Sequence, residues 1–175
     1  MQVYLSTLTE MDYIETLEKL EKHYTNNKGL DGKSHSKIIS NLRKQPTYNY
    51  ELEVIAKKED GDIIGHIMLN EVNLIDNEDT FKVLQLSSLI VATPYRNQGI
   101  GKALVQAVEE RAKAHHYTAI IVDDCPEYFT ALGYASAAQH HIISKNDDKS
   151  LYVKFLWDQL SEYPHGKLQP ISIEV

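Results

Sequence analysis

The stretch VATPYRNQGIGKALVQAVEERA, from Val91 to Ala112, predicts a strand that passes through a glycine-containing turn into a helix. Gly99 and Gly101 lie between an apolar run and a helical pattern, and Arg96 precedes them. Such a turn leaves unpaired backbone N–H groups at the start of the helix, where the helix dipole favours negative charge. It therefore predicts a phosphate or pyrophosphate site, to which Arg96 or Lys102 adds a charged hydrogen bond. A turn that only redirects the chain is the alternative.

The segments on either side of the turn predict a βαβ unit. Residues 80–92 form a strand pattern that loses its polar alternation at Leu89, Ile90 and Val91, as in a strand buried on both faces. The helical pattern after the turn is followed by YTAIIVDD, residues 117–124, a second short apolar strand. A strand, a helix and a strand in this order place the two strands parallel.

The rest of the chain predicts helices and strands around this unit. A helix capped by the Thr9 hydroxyl and a second helix ended by Pro46 precede any strand, and the apolar face of the first helix consists of Tyr13, Leu17, Leu20 and Tyr24. A hairpin with its turn at Asp60–Gly61 follows, and its first strand alternates polar residues with Leu52, Val54 and Ala56. Further along come a short helix, PEYFTAL, capped by Gly133, and two strands, SLYVKFL and ISIEV. We expect an α/β (α+β) fold built on a mixed sheet.

Length and composition limit the class of protein. A chain of 175 residues with 42% hydrophobic and 25% charged residues predicts one globular domain over residues 1–175. The net charge of −7 argues against a nucleic-acid or anionic-membrane partner. We find no apolar run long enough for a bilayer and no signal-peptide pattern, so we expect a cytoplasmic protein.

Two common phosphate motifs do not fit the turn. In a P-loop, a glycine stands five residues before the Gly-Lys pair and Ser or Thr follows it, but here those positions hold Arg96 and Ala103. A dinucleotide fingerprint requires a third glycine where Leu104 stands. Nucleotide hydrolysis and NAD binding are therefore not expected.

The whole phrase resembles the GNAT N-acetyltransferase superfamily. The pyrophosphate signature of that family is R/Q-x-x-G-x-G/A after V-x-P-x-x-R, and this chain has Arg96-Asn97-Gln98-Gly99-Ile100-Gly101, with Pro94 two residues before Arg96. The later YFTALGY is similar to the family's aromatic-rich helix that ends in Gly-Phe or Gly-Tyr. The resemblance is strongest over residues 51–134 and implies a mostly antiparallel sheet flanked by helices.

The resemblance also implies a cosubstrate and a reaction. Acetyl-CoA is expected to place its pyrophosphate on the turn from Arg96 to Lys102 and its pantetheine arm along the backbone of Leu89, Ile90 and Val91. The acetyl group then passes to an amine by direct attack, without a covalent enzyme intermediate. The amine must lose a proton at neutral pH, so a base is needed, and an acid protonates the departing thiolate.

The chain departs from the family pattern at both catalytic positions. Four residues before Gly133, where many members have the acidic tyrosine, stands Phe129, which cannot donate a proton and is assigned to cofactor contact. Tyr128 is the nearest replacement, with core packing as the alternative. Gln85 stands where some members have a basic glutamate, and Asp123 or Asp124 is the alternative, each also suited to capping the short helix. A water chain, or no dedicated base, would also serve.

Other reactive side chains are assigned no role. Cys125 is the one cysteine and is expected to pack rather than react. The pairs His115-His116 and His140-His141 lack metal-ligand spacing, so we expect no metal. The acidic pair Asp147-Asp148 is expected to be solvated.

The acceptor is a small-molecule or peptide amine that the sequence does not identify. Residues 25–34 and 144–150 are the loops expected to shape its site. The absent tyrosine and glutamate keep open a rival function, a coenzyme A-binding sensor with little turnover, and a third possibility is a structural domain that binds no coenzyme A. The C-terminal LQPISIEV alternates like a strand that pairs within the chain or across a dimer, and we expect a dimer.

Overall fold

The computed structural model describes residues 1–23 and 31–171. Within this part of the chain there are four α-helices and nine strands. In chain order they are β1 (Val3–Ser6), α1 (Glu10–His23), α2 (Gly32–Leu42), β2 (Glu53–Lys58), β3 (Ile63–Asp76), β4 (Asp79–Val91), α3 (Ile100–Ala114), β5 (Ala119–Val122), α4 (Pro126–Ala131), β6 (Ala135–Ser136), β7 (Ile142–Ser144), β8 (Tyr152–Phe155) and β9 (Gly166–Gln169).

The residues group into two compact units. The first contains Met1–Asn70 and Ser87–Val108, and the second contains Glu71–Leu86 and most of the chain after Glu109. Strands β3 and β4 and helix α3 each contribute residues to both units. The prediction of a single domain over residues 1–175 stays a prediction.

The first unit is a sheet with helices on both faces. Strand β1 pairs antiparallel with β2, β2 pairs antiparallel with β3, and β4 is the next neighbour. Helix α3 packs closely on one face, since a side chain at Gly65 would place its Cβ 3.1 Å from Leu104 Cδ1. Glu53 and Lys57 point to the other face because side chains alternate along a strand. There Glu53 forms an ion pair with Arg43 at the end of α2, and Lys57 forms one with Asp12 of α1.

The second unit holds the predicted parallel pair. Strand β5 pairs parallel with β4, Leu84 opposite Ile120 and Gln85 opposite Ile121. Strand β8 is antiparallel to β5 and to β6, while β9 joins β3 antiparallel and β7 parallel. The sheet is therefore mixed and mostly antiparallel, which confirms the predicted fold class.

Several local predictions need correction. The expectation that two helices precede any strand is wrong, because β1 comes first and pairs with β2. The alternation predicted for β2 is also wrong, because residues 53–56 are all buried between the helices of the two faces. At the start of α1 the Thr9 hydroxyl does not accept a backbone bond but donates to Asp12 Oδ2 (2.9 Å).

The end of β4 is less buried than predicted. Leu89, Ile90 and Val91 are half-buried rather than enclosed on both faces. They lie beyond Leu84 and Gln85, the residues of β4 that pair with β5. A short apolar run fits a strand buried on both faces, but periodicity alone does not show where a neighbouring strand ends.

Three predictions fall largely or wholly outside the described residues. The acceptor loop proposed over residues 25–34 is described only from Asp31, and Tyr24, a predicted member of the apolar face of α1, is not described. The predicted strand ISIEV is described only at Ile171. The strand before it, β9, overlaps the predicted C-terminal strand LQPISIEV only at Leu168 and Gln169.

Candidate active site

The predicted pyrophosphate turn connects β4 to α3. Residues 93–95 form a short 3₁₀ helix, and the backbone is then left-handed at Asn97 (φ +64°) and Gly99 (φ +83°). The Nε–H of Arg96 donates to the carbonyl oxygen of Val91 at 2.8 Å, so the arginine also braces the turn. The first bond of α3 runs from Ala103 N–H to Gly99 O (3.0 Å), which leaves the preceding N–H groups at the helix start without a carbonyl inside the helix.

The surroundings of the turn suit an anion. Asn97, Gln98 and Gly99 are exposed, and a Cβ built on Gly99 would meet no atom within 4 Å. The side chain of Ile100 is buried and anchors the helix start close to Gly65, so only its backbone is available to a ligand. Lys102 is exposed on the first turn of α3. The residues therefore fit a phosphate group bound through the main chain.

Tyr128 and Phe129 lie on the short helix α4 of the second unit. Gly133 (φ +96°) follows this helix, and the bonds Gly133 N–H to Thr130 O and Tyr134 N–H to Phe129 O close its end in the left-handed manner typical of glycine. Phe129 is 3% exposed and Tyr128 is 39% exposed, so Phe129 belongs to the core while the Tyr128 ring reaches solvent. Burial raises the pKa of the Tyr128 hydroxyl, and the nearby Cys125 adds to the increase.

The acidic residues after β5 make local contacts. Asp124 is exposed, and its Oδ1 accepts the N–H of Cys125 at 2.9 Å. Asp123 is half-buried and forms an ion pair with Lys149 at 3.6 Å. Cys125, an exposed residue in left-handed conformation (φ +50°), is the N-cap of α4, so neither aspartate holds the cap position itself.

The remaining candidates lie at separate places. Gln85 is half-buried on β4, and the two histidine pairs are on the connection after α3 and on the segment before β7. Among residues 1–23 and 31–171, no group of three or more His, Cys, Asp or Glu side chains could hold a metal ion. Within the same residues, no helix is both long enough and apolar enough to cross a membrane.

A line of buried polar residues in the first unit was not predicted. His66 on β3 contacts Glu53 on β2 through Nε2 and Oε2 (2.7 Å), and its Nδ1 lies 2.9 Å from Ser88 Oγ on β4. Ser88 Oγ lies 3.2 Å from His35 Nε2 on α2. All four side chains belong to residues that are at most 4% exposed.

Glu53 has two further partners in this line. Arg43 donates to both carboxylate oxygens, with its shortest bond from Nη2 to Oε2 (2.6 Å), and the Tyr48 hydroxyl donates to Oε1 (2.7 Å). Burial by itself raises the pKa of Glu53, but the hydrogen bonds from His66 and Arg43 outweigh it and lower the pKa to about 2. Glu53 is therefore an ionised carboxylate in the interior.

A sequence signal for this line did exist. Glu53, His66 and Ser88 interrupt three strand segments that are otherwise largely apolar, ELEVIA, IIGHIML and LSSLIVA. Polar side chains inside buried strands are expected to bond one another. They were not predicted because they lie on three different strands, and their contacts depend on the register between those strands.

Comparison with known proteins decides the family. The sequence model of the Acetyltransferase (GNAT) family matches residues 15–136, about two-thirds of the chain. The chain belongs to the acetyltransferase (GNAT) family. This confirms the predicted family and the predicted class of enzyme, an acetyltransferase, and no curated protein sequence matches this transferase closely enough to add to the assignment.

Solved structures show the same fold. A GNAT family N-acetyltransferase from Escherichia coli in complex with CoA has a TM-score of 0.82 at 18% identity, over 95% of this chain and 88% of that one. A GNAT family acetyltransferase from Brucella melitensis in complex with acetyl-CoA has a TM-score of 0.76 at 15% identity, over 98% and 97%. The ribosomal-protein-S18-alanine N-acetyltransferase of E. coli has a TM-score of 0.60 at 12% identity, over 93% and 99%.

The buried line makes the stability of this transferase depend on pH through His35. Burial, and then the nearby His66, lowers the pKa of His35 from 6.5 to about 4. Below pH 6.5 the unfolded chain therefore binds a proton that the folded chain refuses, and folding stability falls by about 3 kcal/mol by pH 4. Urea unfolding should show His35→Gln losing about 2 kcal/mol less than the parent between pH 7 and pH 4.5. An equal loss in the two proteins would contradict this assignment.

Proposed function

We propose that this transferase moves an acetyl group from acetyl-CoA to a primary amine by direct attack. The observation that carries the proposal is the turn that opens α3, with left-handed Asn97 and Gly99, exposed Arg96 and Lys102, and N–H groups at the helix start. This arrangement suits the pyrophosphate of coenzyme A, which is held by Arg96, Asn97, Gln98, Gly99, Ile100, Gly101 and Lys102 in the proposal.

The pantetheine arm is proposed to lie along the end of β4. The backbone of Leu89, Ile90 and Val91 continues beyond the residues of β4 that pair with β5, and these three residues are half-buried. An amide-bearing arm can bond a strand backbone as an added strand does. Phe129 keeps its proposed contact with the cofactor. The CoA and acetyl-CoA complexes of the E. coli and B. melitensis relatives support the choice of cosubstrate.

Tyr128 is the proposed acid that protonates the departing thiolate. Its hydroxyl has a raised pKa, so it keeps its proton at neutral pH and can donate it as charge develops on the sulfur. The base proposed from the sequence is Asp124, an exposed carboxylate at the end of β5. Its bond to the Cys125 N–H also orients it locally.

The remaining parts of the proposal concern the setting of the reaction. We propose a small-molecule or peptide amine as acceptor, no metal, and a single cytoplasmic domain of 175 residues that forms a dimer. The described acceptor loop over residues 144–150 is exposed after Ser144, whose hydroxyl donates to Asp148 and holds the turn. Nucleic acid and membrane are not proposed partners, in line with the net charge of −7.

A thiol-release assay tests the function. Purified protein with acetyl-CoA is expected to release thiol only when an amine is added from a panel of polyamines, amino acids, lysine peptides and N-terminal peptides. Acceptor-dependent release supports the transferase. Acetyl-CoA binding without release across the whole panel would favour the sensor function instead.

Replacing Tyr128 with phenylalanine tests the acid. We expect kcat to fall about 100-fold, because the thiolate then leaves without a proton donor, while the Kd for acetyl-CoA stays unchanged. Tyr50→Phe is the matched control, since Tyr50 is an exposed tyrosine of the first unit for which no role is proposed. If Tyr128→Phe and Tyr50→Phe had the same kcat, Tyr128 would not be the acid.

A further inference from the structure

The buried line in the first unit has a definite direction of hydrogen bonding. Ionised Glu53 can only accept, so His66 must present Nε2–H to it, which leaves Nδ1 of a neutral ring as an acceptor. Ser88 then donates its hydroxyl proton to Nδ1, and Ser88 Oγ accepts from His35 Nε2–H. These roles are assigned from the network, and they give every bond in the line one donor and one acceptor.

The ring of His66 also lines a cleft below α1. The walls come from β3, the end of β4 and α1, and they are Ile63, Ile64, Gly65, Ile90, Ala92, Thr16, Lys19, Leu20 and His23. Thr16 is fully buried, and its Oγ1 has no hydrogen-bond partner among the described residues. A buried hydroxyl without a partner beside a cleft points to a polar group on a ligand.

The cleft and the line meet at the segment proposed for the pantetheine arm. Ile90 belongs to that segment and also lines the cleft. Ser88 directly precedes the first residue of the segment, Leu89, on β4. If the acyl group lies beside residues 89–91, an amine that attacks it lies near Ser88. This argument rests on the proposed function.

We propose that Ser88 and His66, supported by Glu53 and in place of Asp124, are the proton acceptor of the acyl transfer, and that the cleft below α1, with a cavity volume of about 10 Å³, takes one small polar group of the acceptor. Ser88 contacts the nitrogen, whereas His66 and Glu53 act through it. That polar group is expected to bond Thr16 Oγ1, which has no hydrogen-bond partner among the described residues. Glu53 and His66 thus supply the basic group that the Gln85 amide cannot provide.

The protons balance in this scheme. An ammonium acceptor loses one proton before its nitrogen attacks the thioester, and it loses a second after the N–C bond has formed, as the C–S bond breaks. One proton passes to Ser88 Oγ while the Ser88 hydroxyl proton passes to His66 Nδ1, and the other ends on the coenzyme A sulfur. The imidazolium is then stabilised by the Glu53 carboxylate and returns its proton to solvent before the next cycle.

The groups that face His66 set the charge balance. Glu53 from β2 contacts the ring directly, Arg43 after α2 and Tyr48 contact Glu53, His35 from α2 contacts Ser88, and Lys19 and His23 from α1 line the same cleft. Lys19 is held by Asp62 (2.6 Å) and Arg43 by Glu53, so both nearby permanent cations have carboxylate partners. Glu53 is therefore the anion in direct contact with a protonated His66.

Ser88→Ala and His66→Gln test the relay, with thiol release measured from pH 6 to pH 10. The probe amines are spermidine, a lysine-containing peptide, and hydroxylamine, which is already neutral at pH 7. We expect each variant to lose about 100-fold in kcat at pH 7 with the two basic amines and to regain activity about tenfold per pH unit. With hydroxylamine the loss should be less than tenfold, because no proton has to be removed before attack.

Tyr48→Phe is the matched structural control. It removes one hydrogen bond to Glu53 but leaves the bonds to His66 and Arg43, so its pH profile should match the parent. Asp124→Asn tests the competing base by the same readouts. A loss that is equal for all three amines and independent of pH in the Ser88 and His66 variants would mean a structural role and overturn the proposal.

A second readout requires no acceptor. ¹⁵N NMR of histidine-labelled protein with acetyl-CoA at pH 7 should show His66 protonated at Nε2 and not at Nδ1. The opposite tautomer would overturn the relay, because Nδ1 could then accept no proton. If the parent protein neither binds acetyl-CoA nor releases thiol, the proposed function itself fails, which is a separate result from a wrong tautomer.

Discussion

Arg43→Met is expected to lower the free energy of unfolding by about 3–5 kcal/mol at pH 7. Arg43 bonds both oxygens of Glu53, and it also lies 4.8 Å from the Tyr13 ring and donates to the Tyr13 carbonyl oxygen. Methionine fills similar volume but leaves a fully buried carboxylate without its cation. Removing one member of a buried ion pair has this cost because the remaining charge is not solvated.

Urea denaturation monitored by circular dichroism measures the effect. Lys44→Met is the matched control, since Lys44 is the exposed neighbour in the turn after α2 and its loss should change stability by less than about 0.5 kcal/mol. The Glu53 pKa should also rise in Arg43→Met, which would move acid unfolding to higher pH. Equal stability of the Arg43 and Lys44 variants would show that Arg43 does not compensate the buried charge.

Gly101→Glu is expected to raise the Kd for acetyl-CoA at least 100-fold. Gly101 lies in the first turn of α3, where the N–H groups that precede Ala103 are proposed to bind the pyrophosphate. A carboxylate there repels the phosphates and competes for the same N–H groups. The loss corresponds to at least about 2.7 kcal/mol of binding free energy.

The stability of Gly101→Glu separates this effect from misfolding. An acidic residue in the first turn of a helix is stabilising by about 0.3–1 kcal/mol, so the variant should unfold no more easily than the parent. Gln106→Glu adds the same charge at an exposed position further along α3 and should leave the Kd unchanged. If Gly101→Glu bound acetyl-CoA with parent affinity, the pyrophosphate would not lie on this turn.

The glycine turn and its flanking elements could be predicted because their signals are local. Gly99 adopts a left-handed backbone that glycine tolerates, Gly133 ends α4 in the same conformation, and the apolar face of α3 follows a helical period. The parallel pairing of β4 with β5 follows from handedness and connection length. These features require only neighbours in sequence.

The buried line could not be predicted in the same way. Glu53, His66 and Ser88 come from three strands, and only the register that sets Ile55 opposite His66 brings them to the same face as His35 of α2. The short β1 carries too few residues to show a period and exists through its pairing with β2. In both cases tertiary pairing, rather than local pattern, determines the structure.

Calorimetric titration of acetyl-CoA into the purified parent protein tests the central claim most directly. We expect saturable binding of one acetyl-CoA per chain, which Gly101→Glu abolishes and Gln106→Glu preserves. Absence of saturable binding in a protein that unfolds cooperatively would contradict the claim, because the turn at Arg96–Lys102 would then bind no coenzyme A.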